Sequence, residues 1–335
     1  MMKRIFSLAV LLVLAAMVAP AAAIDADLTE KPEIGQSTPN TPLTGTSTGE
    51  PTNSLRSFSD ESLNESWTEV TENAAGWSGY EHSSVVLLDG SIVLTGGYPC
   101  KGYTNDVWRS TDNGATWTLM TANPGWLERC GHSSVVLSDG SIVLMGGRTN
   151  GNIEGDVWRS TDNGATWTRM TAGAGWSGRY GHSSVVLPDG NIVLTGGRAN
   201  SGWKNDVWVS MDNGATWAEI TESTEWSDRY QHCSAVLSDG SILLMGGSVG
   251  STPMNDVWRS TDNGMTWAQV TTSAEWSKRA GHSSVVLPDG SVVLIGGYGG
   301  YSSGYKNDVW RSTDSGATWT QVTANAGWSG RDEHT

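Results

Sequence analysis

Histidine spacing is the feature that most constrains the fold of this 335-residue chain. All six histidines fall at equivalent places in a repeated segment, and they are His82, His132, His182, His232, His282 and His334. The intervals are 50 residues four times and then 52. An internal period of this length indicates a repeat architecture, in which each unit buries its apolar surface against its neighbours.

Each repeat predicts four short strands, A to D, which in the second copy are residues 132–137, 141–147, 156–160 and 167–171. Asp-Gly and Asn-Gly pairs between apolar runs are strong hairpin signals, because these residues adopt positive φ at little cost. The runs SVVL and SIVL are continuously apolar, as expected for strands buried on both faces. The sequence therefore predicts an all-β fold, a β-propeller with five full four-stranded antiparallel blades.

Two repeated motifs resemble those of known propeller families. The strand that ends in Gly-Gly, as at Gly146-Gly147, is similar to a kelch repeat of the galactose-oxidase type, although Trp108 and its equivalents stand where kelch repeats usually carry Tyr. The turn STDNGATW resembles the Asp-box of sialidases and other BNR-type propellers. We expect its aspartates to form the turn, and they are Asp112, Asp162, Asp212, Asp262 and Asp314.

The repeats begin out of phase. Residues 66–71 (SWTEVT) resemble a strand D without its own A, B and C, and His334-Thr335 would start a further strand A. Two interpretations stay open: the sequence belongs to a larger six- or seven-bladed ring, or five blades close with a spare strand. In either case the propeller domain is expected over residues 62–335.

The residues before the repeats predict export. Residues 1–23 combine Lys3 and Arg4 with an apolar stretch and a small-residue cleavage site, as in secretory signals. Residues 24–61 are rich in Ser, Thr and Pro, which predicts a disordered linker. Removing the signal changes the net charge from -15 to -17, because it takes two cations and no acids. We expect a secreted or cell-surface protein without membrane insertion, and such a charge argues against nucleic acid as a partner.

Variation among the repeats predicts a binding face. The A–B turns and Asp-box turns hardly vary, whereas the B–C loops, which share a face with the D–A loops, differ in every repeat. Loop diversity on a uniform scaffold is expected where recognition occurs, although unconstrained drift would produce it too. The candidate ligand-binding residues in these loops are Tyr98, Tyr103, Arg148, Arg198, Trp203, Lys204, Tyr301 and Tyr305.

Arginines recur just before strand A on the same face, at Arg129, Arg179, Arg229 and Arg279. One interpretation is a cationic ring that binds carboxylates of acidic sugars. The alternative is a set of inter-blade salt bridges to the aspartate of each D-V-W segment. The repeated histidines are expected to hydrogen-bond the backbone or an adjacent blade, while a ring holding a metal or anion is the alternative.

Catalytic signals are missing from the sequence. No F/Y-R-I-P segment, nucleophile elbow, phosphate loop or zinc spacing occurs, so we assign no catalytic residue, metal or cofactor. Of the three cysteines, Cys100 and Cys130 share a face, and whether they form a disulfide stays open. The sequence thus predicts an exported binding or adhesion module for a glycan or an extracellular protein. A sialidase- or epimerase-like enzyme and a structural cell-surface component are the alternatives.

Overall fold

A computed structural model describes residues 67–71, 79–99 and 102–335. The predicted signal, the linker and Cys100 lie outside these residues. In chain order the strands are β1 (Gly79–Tyr80), β2 (Ser83–Val86), β3 (Ile92–Thr95), β4 (Tyr98–Pro99), β5 (Val107–Ser110), β6 (Thr118–Thr121), β7 (Ser133–Val136), β8 (Ile142–Met145), β9 (Val157–Ser160), β10 (Thr168–Thr171), β11 (Arg179–Tyr180), β12 (Ser183–Val186), β13 (Ile192–Ala199), β14 (Gly202–Ser210), β15 (Ala218–Thr221), β16 (Cys233–Val236), β17 (Ile242–Met245), β18 (Ser248–Val249), β19 (Thr252–Pro253), β20 (Val257–Ser260), β21 (Ala268–Thr271), β22 (Ser283–Val286), β23 (Val292–Ile295), β24 (Val309–Ser312) and β25 (Thr320–Thr323).

Five antiparallel sheets of four strands form the blades, which confirms the predicted β-propeller. The blades are β2-β3-β5-β6, β7-β8-β9-β10, β12-β13-β14-β15, β16-β17-β20-β21 and β22-β23-β24-β25. The register repeats from blade to blade, so that Leu144 of β8 pairs with Trp158 of β9, and Leu244 of β17 pairs with Trp258 of β20. The shared sequence pattern of each repeat therefore produces the same four-stranded pairing, to which the third sheet adds β11.

The hydrophobic core lies between blades. One cluster joins Val143 and Met145 of the second blade to Ile192 and Leu194 of the third, and the other junctions repeat it. The first four residues of the second strand are buried in every blade, because neighbouring blades cover them. This sandwiching explains the continuous apolar runs, since side chains on both faces of a strand are excluded from water.

A ring of backbone hydrogen bonds surrounds the propeller axis. The residue before each repeated histidine donates its N–H to the carbonyl of the equivalent residue one repeat earlier, as from Gly131 to Glu81 (2.8 Å) and from Gly181 to Gly131 (2.8 Å). The circle has six such positions and closes where the Glu81 N–H donates to the Glu333 carbonyl at 3.1 Å. The described ring thus has six axial positions and five complete blades.

Trp67 takes the place of a turn tryptophan at the sixth position. Its ring meets Trp328 edge to face at 4.5 Å, as Trp267 meets Trp226 at 6.0 Å between complete blades. It also packs on the core beside Val293 and Val309 of the fifth blade. Trp67 therefore supplies to the fifth blade the aromatic contact that the following blade supplies at other junctions.

Across residues 67–71, 79–99 and 102–335 there is no helix with the length and apolarity needed to span a bilayer.

Candidate functional site: the variable-loop face

The antiparallel register brings the variable loops together. Starts of strands A and C and ends of strands B and D share one edge of every blade, as the pairing of Ser133 with Met145 and of Met145 with Val157 shows. We call this edge the variable-loop face. It carries the B–C loops (98–99 with 102–105, 148–155, 198–205, 248–255 and 298–307) and the D–A loops. The opposite edge, the turn face, carries the A–B turns and the Ser-x-Asp turns.

Three of the predicted residues meet in one stacked cluster. The Arg198 guanidinium carbon lies 5.7 Å from the centre of the Trp203 ring and 5.9 Å from that of Tyr180. Arg148 stacks on the same tyrosine at 4.9 Å. Trp203 stays 37% exposed, because β13 and β14 extend beyond the blade as a hairpin in which it pairs with Arg198. Rigid aromatic rings beside arginine are typical of binding hot spots.

Tyr98 and Tyr103 belong to a second group on this face. The Tyr98 ring lies between Tyr80, at 5.3 Å, and Tyr103, at 4.8 Å. Tyr80 comes from the D–A side, where β1 pairs with β4. Tyr80, which precedes the ring position Glu81, therefore forms one aromatic surface with the first B–C loop.

Tyr301 and Tyr305 form the third group, in the fifth B–C loop. Both contact Tyr298, at 6.4 and 5.0 Å, and they are 100% and 60% exposed. Lys204 is half-buried, and its carbonyl accepts the backbone N–H of Arg229. The structure thus distributes the candidate loop residues over three sectors around the axis.

The four repeated arginines do not reach this surface, which corrects the expectation of a ligand-binding cationic ring. Their side chains are 0% exposed, and each makes a bidentate ion pair with the aspartate that begins strand C. The pairs are Arg129–Asp156, Arg179–Asp206, Arg229–Asp256 and Arg279–Asp308. The backbone of Arg229 also forms hydrogen bonds with the backbone of Gly197 and Lys204 in the preceding blade. The ion pair with the D-V-W aspartate, which the sequence offered as the alternative, is present, but it joins each arginine to the blade that follows it in the chain. The contacts of Arg229 with the preceding blade are made by its backbone.

The repeated histidines are also buried between blades. His132 Nε2 lies 2.9 Å from Thr95 Oγ1 of the preceding blade, and His232 makes the same contact with Thr195. His182 instead contacts the Ser133 hydroxyl at 2.8 Å. For these three histidines the predicted contact to an adjacent blade is what the structure shows.

On the turn face, the Ser-x-Asp carboxylates are occupied by local hydrogen bonds. Asp162 Oδ1 accepts from the Thr166 N–H and the Ser160 hydroxyl, both at 2.8 Å, and Oδ2 accepts from the Thr166 hydroxyl. The turn backbone is left-handed at Asn163 and Gly164. Such bonds to the turn use the acceptor capacity of the carboxylate for structure.

Around the axis, the repeats differ at the hydrogen-bonded ring itself. Three of its six positions are glycine, and the other three are Glu81, Gln231 and Glu333, at φ of 56°, 54° and 53°. Left-handed backbone costs a residue with a Cβ about 1–2 kcal/mol. These side chains line a cavity of about 110 Å³ on the axis. The sequence thus keeps polar side chains at this opening despite a conformational cost.

Glu81 and Glu333 line this cavity, and the Asp332 carboxyl is close enough to interact electrostatically with both. We call these three carboxyls the axial carboxyl cluster. Glu81 accepts two bonds from Arg148 Nη2, at 3.0 and 2.8 Å, and one from the Cys130 thiol at 2.5 Å. The Gln231 amide donates to Glu333. Cys130 and Cys233 are free thiols.

Burial and crowding perturb this cluster. Burial, with the nearby Glu81 and Asp332 charges, raises the pKa of Glu333 well above its usual range. Burial also raises the pKa of Asp332 to about 6, and Glu81 adds to the effect. Both carboxyls therefore hold protons more tightly than in water, because burial disfavours their charged forms and the neighbouring carboxylates add repulsion.

Sequence reasoning missed the axial cluster, although a signal for it exists. Aligning the two residues before each histidine gives Tyr-Glu, Cys-Gly, Tyr-Gly, Tyr-Gln, Ala-Gly and Asp-Glu in repeat order. Variation at this position is as informative as variation in the loops, since both reach the same face.

Comparison with protein families supports the architecture. Residues 131–335, more than half of the chain, match the family model of the KLHDC2/KLHL20/DRC7 Kelch-repeats domain. A comparison with curated proteins found no match. Within the residues that the structure describes, no group of three or more His, Cys, Asp or Glu side chains is arranged to hold a metal ion.

Proposed function

We propose that this chain, which belongs to the KLHDC2/KLHL20/DRC7 Kelch-repeats family, is an exported module that binds a protein partner through its variable-loop face. Membership confirms the kelch-like propeller predicted from the glycine pairs. Kelch propellers are typically non-enzymatic scaffolds that bind proteins. The observation that carries the proposal is the Arg148–Tyr180–Arg198–Trp203 cluster, in which Arg198 and Trp203 are exposed and Arg148 is half-buried around the buried Tyr180 ring.

The energetics of this surface favour binding. Arg198 and Trp203 are fixed by their β-pairing and by stacking, so little side-chain freedom is lost when a partner covers them. The exposed Tyr301 and Tyr305 enlarge the apolar area on the same face. By contrast, the turn face presents the same carboxylate turns in every repeat, already bonded to their own backbone.

The proposal also specifies where the protein acts and which class of ligand it binds. The basic and apolar residues 1–23 support export, and a glycan ligand would also stack on Trp203 and the tyrosines. Detection of the protein in the medium or at the cell surface, with residues 1–23 removed, is the expected result. Retention of the intact chain inside cells would contradict export.

The ligand class is tested with purified protein on two probes, a displayed peptide library and a glycan array. We expect selected peptides to bind the wild type and to lose at least tenfold in affinity with Trp203→Ala/Tyr305→Ala, because both exposed anchors are removed. The control is Met211→Thr, which places the residue of the sister turns at a position 75% exposed on the turn face.

Peptides whose binding survives the double substitution but fails with Met211→Thr would place the interface on the turn face and contradict the proposal. Binding of glycans alone would overturn the protein-partner part.

A further inference from the structure

We infer that the axial cavity binds a cationic side chain, a lysine ammonium or an arginine guanidinium, supplied by the partner. This inference rests on the proposed function, because it assigns a chemistry to the centre of the same variable-loop face. It names the charge of the group that the partner inserts.

The first argument is charge. Glu81 and Glu333 line the cavity, and the nearby guanidinium of Arg148 is already engaged by Glu81 through two hydrogen bonds. Burial is the main cause of the raised pKa values of Asp332 and Glu333, and the negative charge of Glu81 adds to both. A cationic group placed here replaces a carboxyl proton and pairs with a desolvated acid, where such contacts are strong.

The second argument is shape. The cavity is lined by Glu81, Gln231 and Glu333, and its volume of about 110 Å³ is several times the roughly 30 Å³ of one water molecule. It can hold an ammonium or guanidinium with part of its stem.

The third argument is the surrounding aromatic surface. Tyr80, which precedes Glu81, is 40% exposed. Its pKa is raised mainly by partial burial, and the charges of Glu81 and Glu333 add to the increase. The pKa of Tyr230 is raised mainly by burial, and the charges of the same two carboxylates contribute to the increase. Tyrosine rings beside carboxylates suit a cation with an apolar stem, because the ring face attracts the charge while the ring covers the methylenes.

The fourth argument is the comparison among repeats. Gly131, Gly181 and Gly281 occupy the left-handed ring position without strain, so glycine suffices for ring closure. Closure alone therefore does not account for glutamate at the two neighbouring positions 81 and 333. A partner that pairs with the charge of these two glutamates accounts for their presence.

The test uses the full chain and the peptides selected on it. We expect those peptides to share one Lys or Arg, and its replacement by norleucine to weaken binding at least tenfold. Glu333→Gly, which installs the residue of the sister positions, should keep or raise the melting temperature and weaken the same peptides at least tenfold. Met211→Thr should change neither quantity.

Calorimetry at pH 6.5 in buffers of different ionisation enthalpy supplies an independent readout. Binding to the wild type should release protons from the axial carboxyl cluster, and binding to Glu333→Gly should release fewer. Peptides that need Trp203 and Tyr305 but carry no basic residue, and bind Glu333→Gly equally well, would overturn the axial site and leave the proposed function intact. If no peptide binds the folded protein, both are contradicted.

Discussion

Acidification from pH 7.5 to about pH 5 is expected to unfold the propeller. Burial lowers the pKa of His82 to about 4 and the pKa values of His182, His282 and His334 to about 3. Burial likewise holds the pKa values of His132 and His232 well below 6.5. The native protein therefore keeps all six imidazoles neutral at a pH where the unfolded chain protonates them.

The sign follows from proton binding. Below pH 6.5 the histidines bind protons in the unfolded state but not in the native state. The stability that their neutral forms contribute is therefore fully present above pH 6.5 and is lost as the pH falls towards 4. Each histidine contributes about 1.4 kcal/mol per pH unit, and six together approach about 8 kcal/mol per unit. A typical domain has roughly 5–15 kcal/mol in total, so a drop of one to two units removes most of it.

Urea unfolding followed by tryptophan fluorescence at pH 7.5, 6.5 and 5.5 measures this loss at constant ionic strength. Glu333 and Asp332 oppose the trend, because their raised pKa values favour the native state at low pH, but they are two groups against six. His182→Gln should make the slope shallower by one histidine's share. Equal stability at pH 7.5 and 5.5 would contradict neutral, buried imidazoles.

Arg229→Ala is expected to lower the free energy of unfolding by about 3–5 kcal/mol, since it leaves Asp256 buried without its partner. All of the guanidinium nitrogens of Arg229 are used. Nη1 donates to Asp256 and to the Gly246 carbonyl, both at 2.8 Å, while Nη2 donates to Asp256 at 2.8 Å and to the Ser227 hydroxyl at 3.0 Å. Nε donates to the Ser227 carbonyl at 3.0 Å.

The matched control is Arg259→Ala. Arg259 also pairs with an aspartate of its own blade, Asp239, but that carboxylate is 54% exposed. Water replaces the lost contact there, so the expected change is below about 1 kcal/mol. Arg229→Lys should not restore stability, because an ammonium keeps the charge without the planar fork. Similar losses for Arg229→Ala and Arg259→Ala would show that burial of the Arg229 pair contributes little.

The sequence predicted the blades well because their signals are local and repeated. Asp-Gly turns, Gly-Gly strand ends and two-sided apolar runs each act within a dozen residues, and five copies reinforce them. The arginines show the limit of that reasoning. Arg229 precedes Asp256 by 27 residues, and only the ring geometry determines whether such a pair faces solvent or the junction between blades.

The axial carboxyl cluster could not be predicted from the sequence, for a different reason. Glu81 and Glu333 are 252 positions apart in the sequence and become neighbours only when the ring closes, through the bond from the Glu81 N–H to the Glu333 carbonyl. Tyr180 likewise contacts both Arg148 of the second B–C loop and Arg198 of the third, so the stacked cluster joins two repeats. Loop variability could indicate the binding face, but it could not indicate which side chains meet on it.

Hydrogen–deuterium exchange of the full chain with and without a selected peptide tests the central claim, binding on the variable-loop face, most directly. Protection should appear in residues 148–155 and 198–205 and in the D–A segments next to them, while the turns that contain Asp162 and Asp212 should exchange as in the free protein. Protection confined to those turns, with no change in the variable loops, would contradict the account.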